Sequence, residues 1–570
     1  MEKPIIGIDL GTSTSEIAVL KKGQPVLLED ENGDRIVPSV VQAHPDGRII
    51  VGSTARNTAV TYGAAQEVKR LMGTDQTVRL GDREWSPEAV SAEILKHLKK
   101  AAERKYGEGS VRDVVITVPA RFENPAREAT KVAAEMAGLN VLRLINEPTA
   151  AALSYGLDHL EDEKKVLVFD FGGGTLDVTV LEMFEGILDV KTSVGDDRLG
   201  GKDIDDLLIA IFAVWYKEQH GADMPDDPND RWRLKEAAER CKKQLSTLYA
   251  VDVDILLTSG AISGKTLTRS EFEAAMSPLL ERAFAVVDEA LKRAKTTWAE
   301  IDVILPVGGS SRIPAIRHEL ERRWGKPLQE YDNPDEAVAR GAAVAAGIET
   351  HQFPEDGIMI LDVAPHRLGI RVVEQVGEGQ YINDYFSEII AKDAKLPAIQ
   401  NRIYSTIFDG QESIMVRIYE ATTESNMCQD HRMIGEMELT NLPKATAGQP
   451  IDIEFRYTLD GTLAARAHCV HAPDVKIEGK FAILGRPLDQ EPLTVPESSF
   501  RLEDLLEASP DAKRCQPILE QAEKVEREHP MAAPRIRAAA DRLRLALSGG
   551  NSREITEELD ALTDLLYEFS

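Results

Sequence analysis

The sequence predicts a multidomain protein in which an α/β region is followed by an antiparallel β-sandwich and then by a small α-helical bundle. The chain has 570 residues, which is too long for one hydrophobic core and favours roughly two to four domains. Apolar strand-like runs alternate with helical patterns as far as about residue 350, and short alternating strands replace them after that point. From about residue 500 the pattern becomes helical again. The expected segments are 1–355, a connecting segment 356–364, 365–498 and 499–570.

The first region carries the pattern of an α/β fold. Short apolar runs bounded by turn residues predict strands, and longer runs of helical periodicity predict helices. The last helix is expected to begin at Pro334, because Asn333 can cap it and two acids follow where the helix dipole favours negative charge. The predicted strands are Ile5–Asp9, Ile17–Leu20, Val114–Val118, Val166–Phe169, Val178–Leu181 and Val303–Leu305, and the predicted helices are Ala89–Arg104, Asn124–Ala137, Asp203–Gln219, Asp230–Thr247, Ser270–Ala294 and Pro334–Ile348.

The second region is predicted to be a sandwich of short antiparallel strands, and it follows the apolar segment GIMILDVAP at 357–365. The alternation in IMVRIYE and the hairpin signal Asp460-Gly461 favour this architecture. The predicted strands are Leu368–Val373, Glu388–Ile390, Arg402–Ile407, Ser413–Glu420, Gly435–Leu439, Ile451–Tyr457 and Leu463–Val470, and the helices predicted after them are Cys515–Glu528, Ala533–Leu547 and Arg553–Phe569.

The charge and the cysteines argue against several classes of protein. A net charge of −29 repels nucleic acid and anionic membrane surfaces, so neither is expected as a partner. No apolar run approaches the length of a membrane span, and the residues before Ile5 contain no signal-peptide core, so a cytoplasmic location is expected. The cysteines are scattered without metal-binding spacing, which argues against zinc and against disulfides. They are Cys241, Cys428, Cys469 and Cys515.

Two glycine turns predict a phosphate site. The stretches FDFGGGTLD at 169–177 and IDLGTSTSE at 8–16 share one layout, in which an apolar strand is followed by Asp, an apolar residue and glycine. This repetition suggests two duplicated halves that face each other. Glycine lets phosphate oxygens approach the backbone N–H groups of a turn. Asp9 and Asp170 at the strand ends could then hold a hydrated magnesium ion, which takes few protein carboxylates.

A third glycine pair and a helix suggest a nucleoside site. VGGSSR at 307–312 follows a strand, and Arg312 can stack on an adenine face. Each signal has a plain alternative, since a glycine turn is usually only a tight turn and a charged helical stripe is usually a solvated face. By default Lys69 would lie on the surface and Glu147 would merely precede a helix-starting proline. The occurrence of all these signals in one order favours the nucleotide site. The polar stripe on the helix at 235–246 is Glu239, Lys242, Lys243 and Ser246.

Nine motifs occur in order from residue 4 to about 350. They are GIDLGTSTSE, GDRIVPSVV, VKRLMG, VVITVPARF, AGLNVLRLINEPTAAALSYGL, VLVFDFGGGTLDVTV, LGGKDID, VGGSSRIPAIR and NPDEAVARGAAV. Together they resemble the DnaK-like family of seventy-kilodalton heat-shock chaperones, and the resemblance continues through IMILD into the β region. It implies an actin- and hexokinase-like domain of two lobes, with ATP or ADP, Mg²⁺ and K⁺ bound in the cleft between them. The chain looks like a short, bacterial-type member of that family.

The resemblance assigns roles within the cleft. Lys69 would reach the transferred phosphate and its attacking water, while Glu147 and Asp177 would hold waters and position the nucleophile. Asp9 and Asp170 would order Mg²⁺ through water, and K⁺ would bind at the same aspartates, at Asp177 and at Thr175. The catalytic set is Thr12, Lys69, Glu147, Asp170, Thr175 and Asp177, the metal-binding set is Asp9, Asp170 and Asp177, and the nucleotide-binding set is Gly11, Thr12, Ser13, Gly172, Gly173, Gly174, Thr175, Gly200, Gly201, Glu239, Lys242, Lys243, Ser246, Gly308, Gly309, Ser310, Arg312 and Asp335.

The resemblance also implies a chaperone cycle. The β region would bind extended apolar segments of unfolded client proteins, and ATP would open it while hydrolysis closes it. The connecting segment would dock between the lobes when ATP is bound, Arg143 would also face a J-domain co-chaperone, and a nucleotide exchange factor is a further candidate partner. Apolar strand residues mostly pack inward, so a plain sandwich core and an ordinary edge strand are the alternatives. The peptide-binding set is Ile370, Val373, Tyr404, Ile407, Ile414 and Val416, and the coupling set is Pro119, Arg127, Arg143, Ile358, Met359, Ile360, Leu361 and Asp362.

The sequence departs from the family pattern in several places. The segment between Gly73 and Ser86 is short, Lys202 stands where glutamate is usual, and Pro306 interrupts a strand. Only about 70 residues follow Phe500, so the helical lid over the peptide cleft is expected to be reduced. A metabolite kinase and an actin-like filament protein share the implied fold, but neither needs the β region. The sequence therefore favours a chaperone.

Overall fold

The computed structural model describes residues 4–157, 159, 162–184, 186–328, 334–353, 358–377, 380–421, 423–458, 461–482 and 486–487, together with seven isolated positions further on. The chain divides into two compact units, residues 1–489 and 490–570. The described positions of the second unit are helical and buried. The bounds of the three helices predicted there, the predicted cap Asn333 and the hairpin residue Asp460 lie outside the described residues.

The first unit begins with an α/β part and continues into a region of β-strands. In chain order the strands are β1 (Ile5–Leu10), β2 (Thr14–Lys21), β3 (Gln24–Leu27), β4 (Val37–Pro38), β5 (Val40–Ala43), β6 (Ile49–Val51), β7 (Ala65–Gln66), β8 (Val78–Leu80), β9 (Arg83–Trp85), β10 (Asp113–Val118), β11 (Asn140–Asn146), β12 (Lys164–Phe171), β13 (Leu176–Phe184), β14 (Ile187–Asp196), β15 (Ala250–Leu257), β16 (Gly260–Thr268), β17 (Val303–Val307), β18 (Met359–Leu361), β19 (Arg367–Gly377), β20 (Gln380–Ile390), β21 (Ala398–Ser405), β22 (Ile414–Ala421), β23 (Arg432–Leu439), β24 (Pro450–Tyr457), β25 (Leu463–Cys469), β26 (Ala472–Ala482) and β27 (Arg486–Pro487). The helices are α1 (Ser53–Tyr62), α2 (Pro87–Tyr106), α3 (Asn124–Met136), α4 (Glu147–Gly156), α5 (Gly201–His220), α6 (Pro228–Leu245), α7 (Arg269–Arg293), α8 (Pro314–Trp324) and α9 (Ala337–Glu349).

Two sheets with one shared topology form the α/β part. The first has the order β11-β10-β1-β2-β3, and the second has the order β17-β12-β13-β14-β18. In each sheet an antiparallel hairpin, β1–β2 or β12–β13, has a parallel strand, β10 or β17, on its outer side. Each glycine turn joins the two strands of one of these hairpins, so the predicted duplication is confirmed.

Helices α4 and α9 pack against each other between these sheets. Helix α9 lies on β1 and β2, and α4 lies on β12 and β13. Their contact requires glycine, because a Cβ atom at Gly341 would lie 1.7 Å from the carbonyl oxygen of Ala150. The close helix pair therefore fixes the separation of the two sheets on which the glycine turns are carried.

The later strands form two antiparallel sheets, as predicted. A four-stranded sheet has the order β20-β19-β22-β23, and a five-stranded sheet has the order β21-β24-β25-β26-β27. Their inward residues share one core, in which Phe455, Tyr457 and Leu463 are among the most buried side chains. This alternation of inward and outward residues is what the period-two pattern predicts.

The predicted helices match the observed ones within a few residues, with one error at a start. Helix α9 begins at Ala337 rather than Pro334, since the residues from Pro334 to Glu336 form a turn before it. Pro306 lies within β17, which pairs only with β12 and is an edge strand, where a residue without an N–H group is tolerated. The elements that were not predicted include helix α1, strands β3 to β9, β11 and β14, the β15–β16 hairpin and β26.

Candidate active site

The two glycine turns meet at a cleft of about 1100 Å³, and both line it. A Cβ atom at Gly173 would lie 2.0 Å from Oγ of Ser13, and one at Gly174 would lie 2.7 Å from Oγ1 of Thr12. Side chains are therefore excluded where the halves meet, and bare backbone faces the cleft. The predicted residues that line it are Asp9, Gly11, Thr12, Ser13, Lys69, Glu147, Asp170, Gly172, Gly173, Gly174, Thr175, Gly201, Glu239, Lys242, Lys243, Ser246, Gly308, Gly309, Ser310, Arg312 and Asp335.

Lys69 and Glu147 form a buried ion pair in this cleft. Lys69 lies on the short helical turn Val68–Leu71 and is only 7% exposed, and its Nζ sits 5.7 Å from the centre of the Phe122 ring. Glu147 is the first residue of α4. The pair places one fixed positive charge beside the glycine turns, in a setting where little water screens it.

Asp9 and Asp170 occupy equivalent positions near the ends of β1 and β12. Oδ1 of Asp9 accepts a hydrogen bond of 2.6 Å from the hydroxyl of Thr117. Burial, together with the charge of Glu147, raises the pKa of Asp9 to about 6 and also raises the pKa of Asp170. Two such buried carboxylates favour a cation, which would keep both of them ionised.

Magnesium fits this arrangement of oxygen ligands. Within the described ranges, no group of three or more His, Cys, Asp or Glu side chains is arranged to hold a metal ion. Mg²⁺ usually keeps several waters and binds one or two carboxylates together with substrate phosphates. Asp9 and Asp170 can supply those carboxylates, and the glycine turns leave room for the phosphates.

Of the predicted catalytic, metal-binding and nucleotide-binding residues, Asp177 and Gly200 are the two that do not line the cleft. Asp177 lies opposite Asp170 in the β12–β13 register and is 2% exposed. Burial and the charge of Glu147 raise the pKa of Asp177 to about 8. A Cβ atom at Gly200 would lie 2.5 Å from the carbonyl carbon of Gly174, so Gly200 supports the second turn from behind. Their roles in ligand binding stay predictions.

The third glycine pair packs against the second turn. Gly308 has a φ of +77°, and a Cβ atom there would lie 2.6 Å from the carbonyl oxygen of Phe171. The hydroxyl of Ser310 donates 2.9 Å to the carbonyl oxygen of Gly172. Arg312 pairs with Asp335 at 2.5 Å, which brings two predicted nucleoside-binding residues together at the edge of the cleft.

The predicted polar stripe on α6 faces the same cleft. Nζ of Lys242 donates 2.9 Å to the carbonyl oxygen of Gly201, and it also pairs with Asp205. Lys243 pairs with Glu239 at 2.6 Å. These contacts hold the polar side chains of α6 in place on the cleft wall that faces α1.

Ion pairs cross the mouth of the cleft, and the sequence did not reveal them. Arg56 on α1 donates 2.9 Å to Glu236 on α6 and also pairs with Glu239. Glu67 contacts Lys235 on α6 at 3.1 Å. The partners are far apart in the chain, so no local pattern could have indicated them.

Arg70 also connects the two halves. Its guanidinium donates 3.1 Å to the carbonyl oxygen of Gly174 and pairs with Asp203 at 2.9 Å. It follows Lys69 in the motif VKRLMG, which is the only sequence signal for its role. Arg70 therefore holds the second glycine turn from the opposite side of the cleft.

The connecting segment is docked as an edge strand. Strand β18 pairs in parallel with β14, and Ile358 and Ile360 are buried while Met359 is exposed. Leu361 completes the pairing, opposite Asp189. The structure therefore shows the edge strand that the sequence left as one alternative, and a switching role for it stays a prediction.

A polar relay leads from this strand into the first half. Nδ2 of Asn146 donates 3.0 Å to Asp362, and Oδ1 of Asn146 accepts 2.6 Å from Arg127. Pro119 is buried and precedes Ala120, whose carbonyl oxygen accepts 3.2 Å from Arg127, and Arg143 pairs with Glu349 at 3.1 Å. Asn146 also ends β11 immediately before Glu147, so the relay reaches the catalytic candidates.

The β region contacts the α/β part directly as well. Oε2 of Glu420 accepts 3.2 Å from the backbone N–H of Asn124, at the start of α3. Arg432 pairs with Glu123 at 3.0 Å. The ring of His366 contacts the carbonyl oxygen of Arg121 at 3.2 Å. The two parts are thus joined by polar contacts as well as by β18.

The predicted peptide-binding residues fall into three groups. Val373 and Ile407 are exposed, whereas Tyr404 and Ile414 are half-buried. Ile370 and Val416 are buried in the sandwich core, as the alternative interpretation expected. The assignment of the set to a peptide cleft stays a prediction.

Two findings bear on the protein as a whole. No helix in the described part of the chain is long and apolar enough to cross a membrane. A family model described as "Hsp70 protein" matches residues 5–79 and 76–480. The matched residues include both glycine turns, the docked strand β18 and most of the β region.

Proposed function

The chain belongs to the Hsp70 family, and we propose that it is an ATP-dependent chaperone whose nucleotide cycle controls the binding of unfolded polypeptides. The observation that carries this proposal is the connection from cleft to β region. The nucleotide cleft contains the Lys69–Glu147 pair, and the relay through Asn146 and Asp362 leads from Glu147 to the docked strand β18. A metabolite kinase would need the cleft but not the relay.

The chemistry we propose is hydrolysis of ATP by water. Backbone N–H groups of the two glycine turns would hold the phosphates, and Lys69 would stabilise the charge that develops on the transferred phosphoryl group. Mg²⁺ would neutralise phosphate charge, with Asp9 and Asp170 as its protein ligands. Glu147 would orient the attacking water, and the ion pair that holds its carboxylate beside Lys69 supports this role.

The wall opposite the phosphates would bind adenosine. Lys242, Ser246 and Arg312 line that side of the cleft, and α6 and the 307–312 turn carry them. The cross-cleft pairs from Arg56, Glu67 and Arg70 would have to break before nucleotide leaves. We therefore infer slow intrinsic release, for which an exchange factor is a candidate partner.

The peptide-binding role rests on the sandwich and its docking. Extended apolar peptides would bind by main-chain hydrogen bonds and side-chain pockets near Val373 and Ile407, which are exposed. A J-domain co-chaperone would contact the surface near Arg143 and β18. The proposed divisions are the nucleotide-binding domain 1–355, the linker 356–364, the β domain 365–498 and the helical lid 499–570.

ATP-dependent release of peptide tests the proposal. The full chain is loaded with a fluorescent apolar peptide in ADP and then mixed with ATP or with more ADP. We expect ATP to accelerate release by about tenfold or more, because nucleotide and peptide sites are coupled. In the Lys69→Ala variant, ATP binding should still accelerate peptide release. The variant should then fail to return to slow peptide release. Equal release rates in ATP and ADP would overturn the chaperone assignment, even if ATP is hydrolysed.

A further inference from the structure

The internal duplication of the α/β part extends to a pair of acids in each hairpin. In the β12–β13 hairpin, Asp170 lies directly opposite Asp177. In the β1–β2 hairpin, Asp9 lies directly opposite Glu16. Side chains of directly opposed residues share a face, with Cβ atoms about 5 Å apart. Glu16 is thus the counterpart of Asp177, although the proposed function gives it no role.

Glu16 is buried without a complete set of partners. It is 2% exposed, and its Oε2 has no hydrogen-bond partner among the described residues. The same is true of Oδ1 of Asp177. Unlike Asp177, Glu16 lines the cleft. An unsatisfied carboxylate oxygen in a cleft wall is costly unless something that is bound there satisfies it.

The electrostatic surroundings of Glu16 indicate what would satisfy it. The charged groups that act on it most strongly, Asp9, Asp335 and Glu336, are all acidic. Asp335 is offset by Arg312, but Asp9 is not paired with a described Lys or Arg. Two opposed carboxylates on one face repel each other unless a positive charge lies between them.

We propose that Asp9 and Glu16 form a site for a second divalent cation, in addition to the magnesium expected at Asp9 and Asp170. Two carboxylates match the charge of a divalent ion, and waters with a phosphate oxygen would complete its shell. The inference rests on the proposed nucleotide site, because the phosphate supplies part of the ligand set. Asp9 would bridge the two ions.

Counting bound Mn²⁺ on the full chain tests this proposal. Mn²⁺ takes the same oxygen ligands and can be followed by electron paramagnetic resonance of the free ion. With saturating ADP, we expect about two Mn²⁺ per chain for the unmodified protein and about one for Glu16→Gln. Glu16→Asp keeps a carboxylate on a shorter stem and should retain the second ion with about tenfold weaker affinity.

Glu336→Gln is the matched control, because it removes an acidic charge from the same neighbourhood without removing a proposed ligand. It should keep both ions. One Mn²⁺ in the unmodified protein, or two with unchanged affinity in Glu16→Gln, would overturn the second site. Absence of ADP binding in the same titration would instead overturn the proposed function, so the two failures are distinguishable. Thermal unfolding of each variant verifies that the chain is folded.

Discussion

Glu420→Gln should reduce the pH dependence of docking between the β region and the α/β part. The Glu420 side chain is buried against the start of α3, where Oε1 has no partner among the described residues. Burial and the charge of Glu123 raise the pKa of Glu420 to about 8, although Asn124, Arg127 and Arg432 oppose the shift. The docked form therefore holds this group protonated at neutral pH.

The magnitude follows from proton linkage. Separation of the two parts returns Glu420 to water, where its ordinary pKa is 4.5. Between these two values the docked form binds one more proton than the separated form. The contribution of Glu420 to docking is therefore greatest at low pH. Above the ordinary pKa, the docking equilibrium constant falls by about tenfold for each pH unit until the pH passes the docked pKa.

Two other groups at the contact confine the test to one pH window. Burial lowers the pKa of His366 to about 3 from 6.5, so below pH 6.5 the separated form takes up a proton there and acid favours separation. Burial also lowers the pKa of Lys392 to about 8, which affects docking only at higher pH. Between pH 6.5 and 8, Glu420 is the group of these three that changes docking.

Small-angle X-ray scattering of the full chain with ATP gives the docked fraction over this window. The unmodified protein should open as the pH rises from 6.5 to 8, whereas Glu420→Gln should lose most of this response. Glu438→Gln removes an exposed charge from the neighbouring strand β23 and should behave like the unmodified protein. Burial also raises the pKa values of Asp362 and Asp393 at the contact, but both residues are present in every variant, so the difference between variants reports Glu420. An unchanged pH response in Glu420→Gln would refute the reasoning.

Three further predictions concern hydrolysis, coupling and stability. Lys69→Ala removes the cation beside the glycine turns and should slow single-turnover ATP hydrolysis by about a hundredfold to a thousandfold, with an unchanged rate counting against its role. Asp362→Ala leaves the Asn146 amide unpaired and should weaken docking of the connecting segment by about 1.5–3 kcal/mol. Stimulation of the ATPase by peptide should fall, and full stimulation would contradict the relay. Gly341→Ala forces a Cβ atom into a backbone carbonyl of α4 and should destabilise the fold by about 3 kcal/mol or more in urea unfolding, whereas a near-neutral effect would show that the helix pair can separate freely.

Local signals predicted much of the fold and of the candidate site. The glycine turns could be recognised because both carry Asp, an apolar residue and glycine after a buried strand. The α9 start was misplaced because Pro334 suits a first helical turn as well as the ordinary turn that the chain forms there. Contacts between distant segments, such as Arg56 with Glu236, leave no local pattern and could not be predicted.

The peptide-binding set shows a second limit. Apolar residues in a period-two pattern reveal which strand they belong to, but either face of a strand can carry them. The resemblance placed Ile370 and Val373 in one cleft, but residues three apart in a strand point to opposite faces, so Ile370 lies in the core and Val373 is exposed. Glu16 could not be assigned from the sequence either, because only the strand register reveals that it lies opposite Asp9.

The short strand β18 makes the connecting segment sensitive to its length between the strand and Asp362. Its three residues alternate between exposed and buried positions, and Asp362 follows them directly. One residue inserted before β18 can be absorbed upstream, whereas one inserted between Leu361 and Asp362 either moves Asp362 away from Asn146 or turns the strand's apolar side chains to the opposite face. Two inserted residues restore the face but still displace Asp362. Under the proposed function, the segment would therefore transmit its signal by position as well as by composition, and a length change would silence it while every residue is retained.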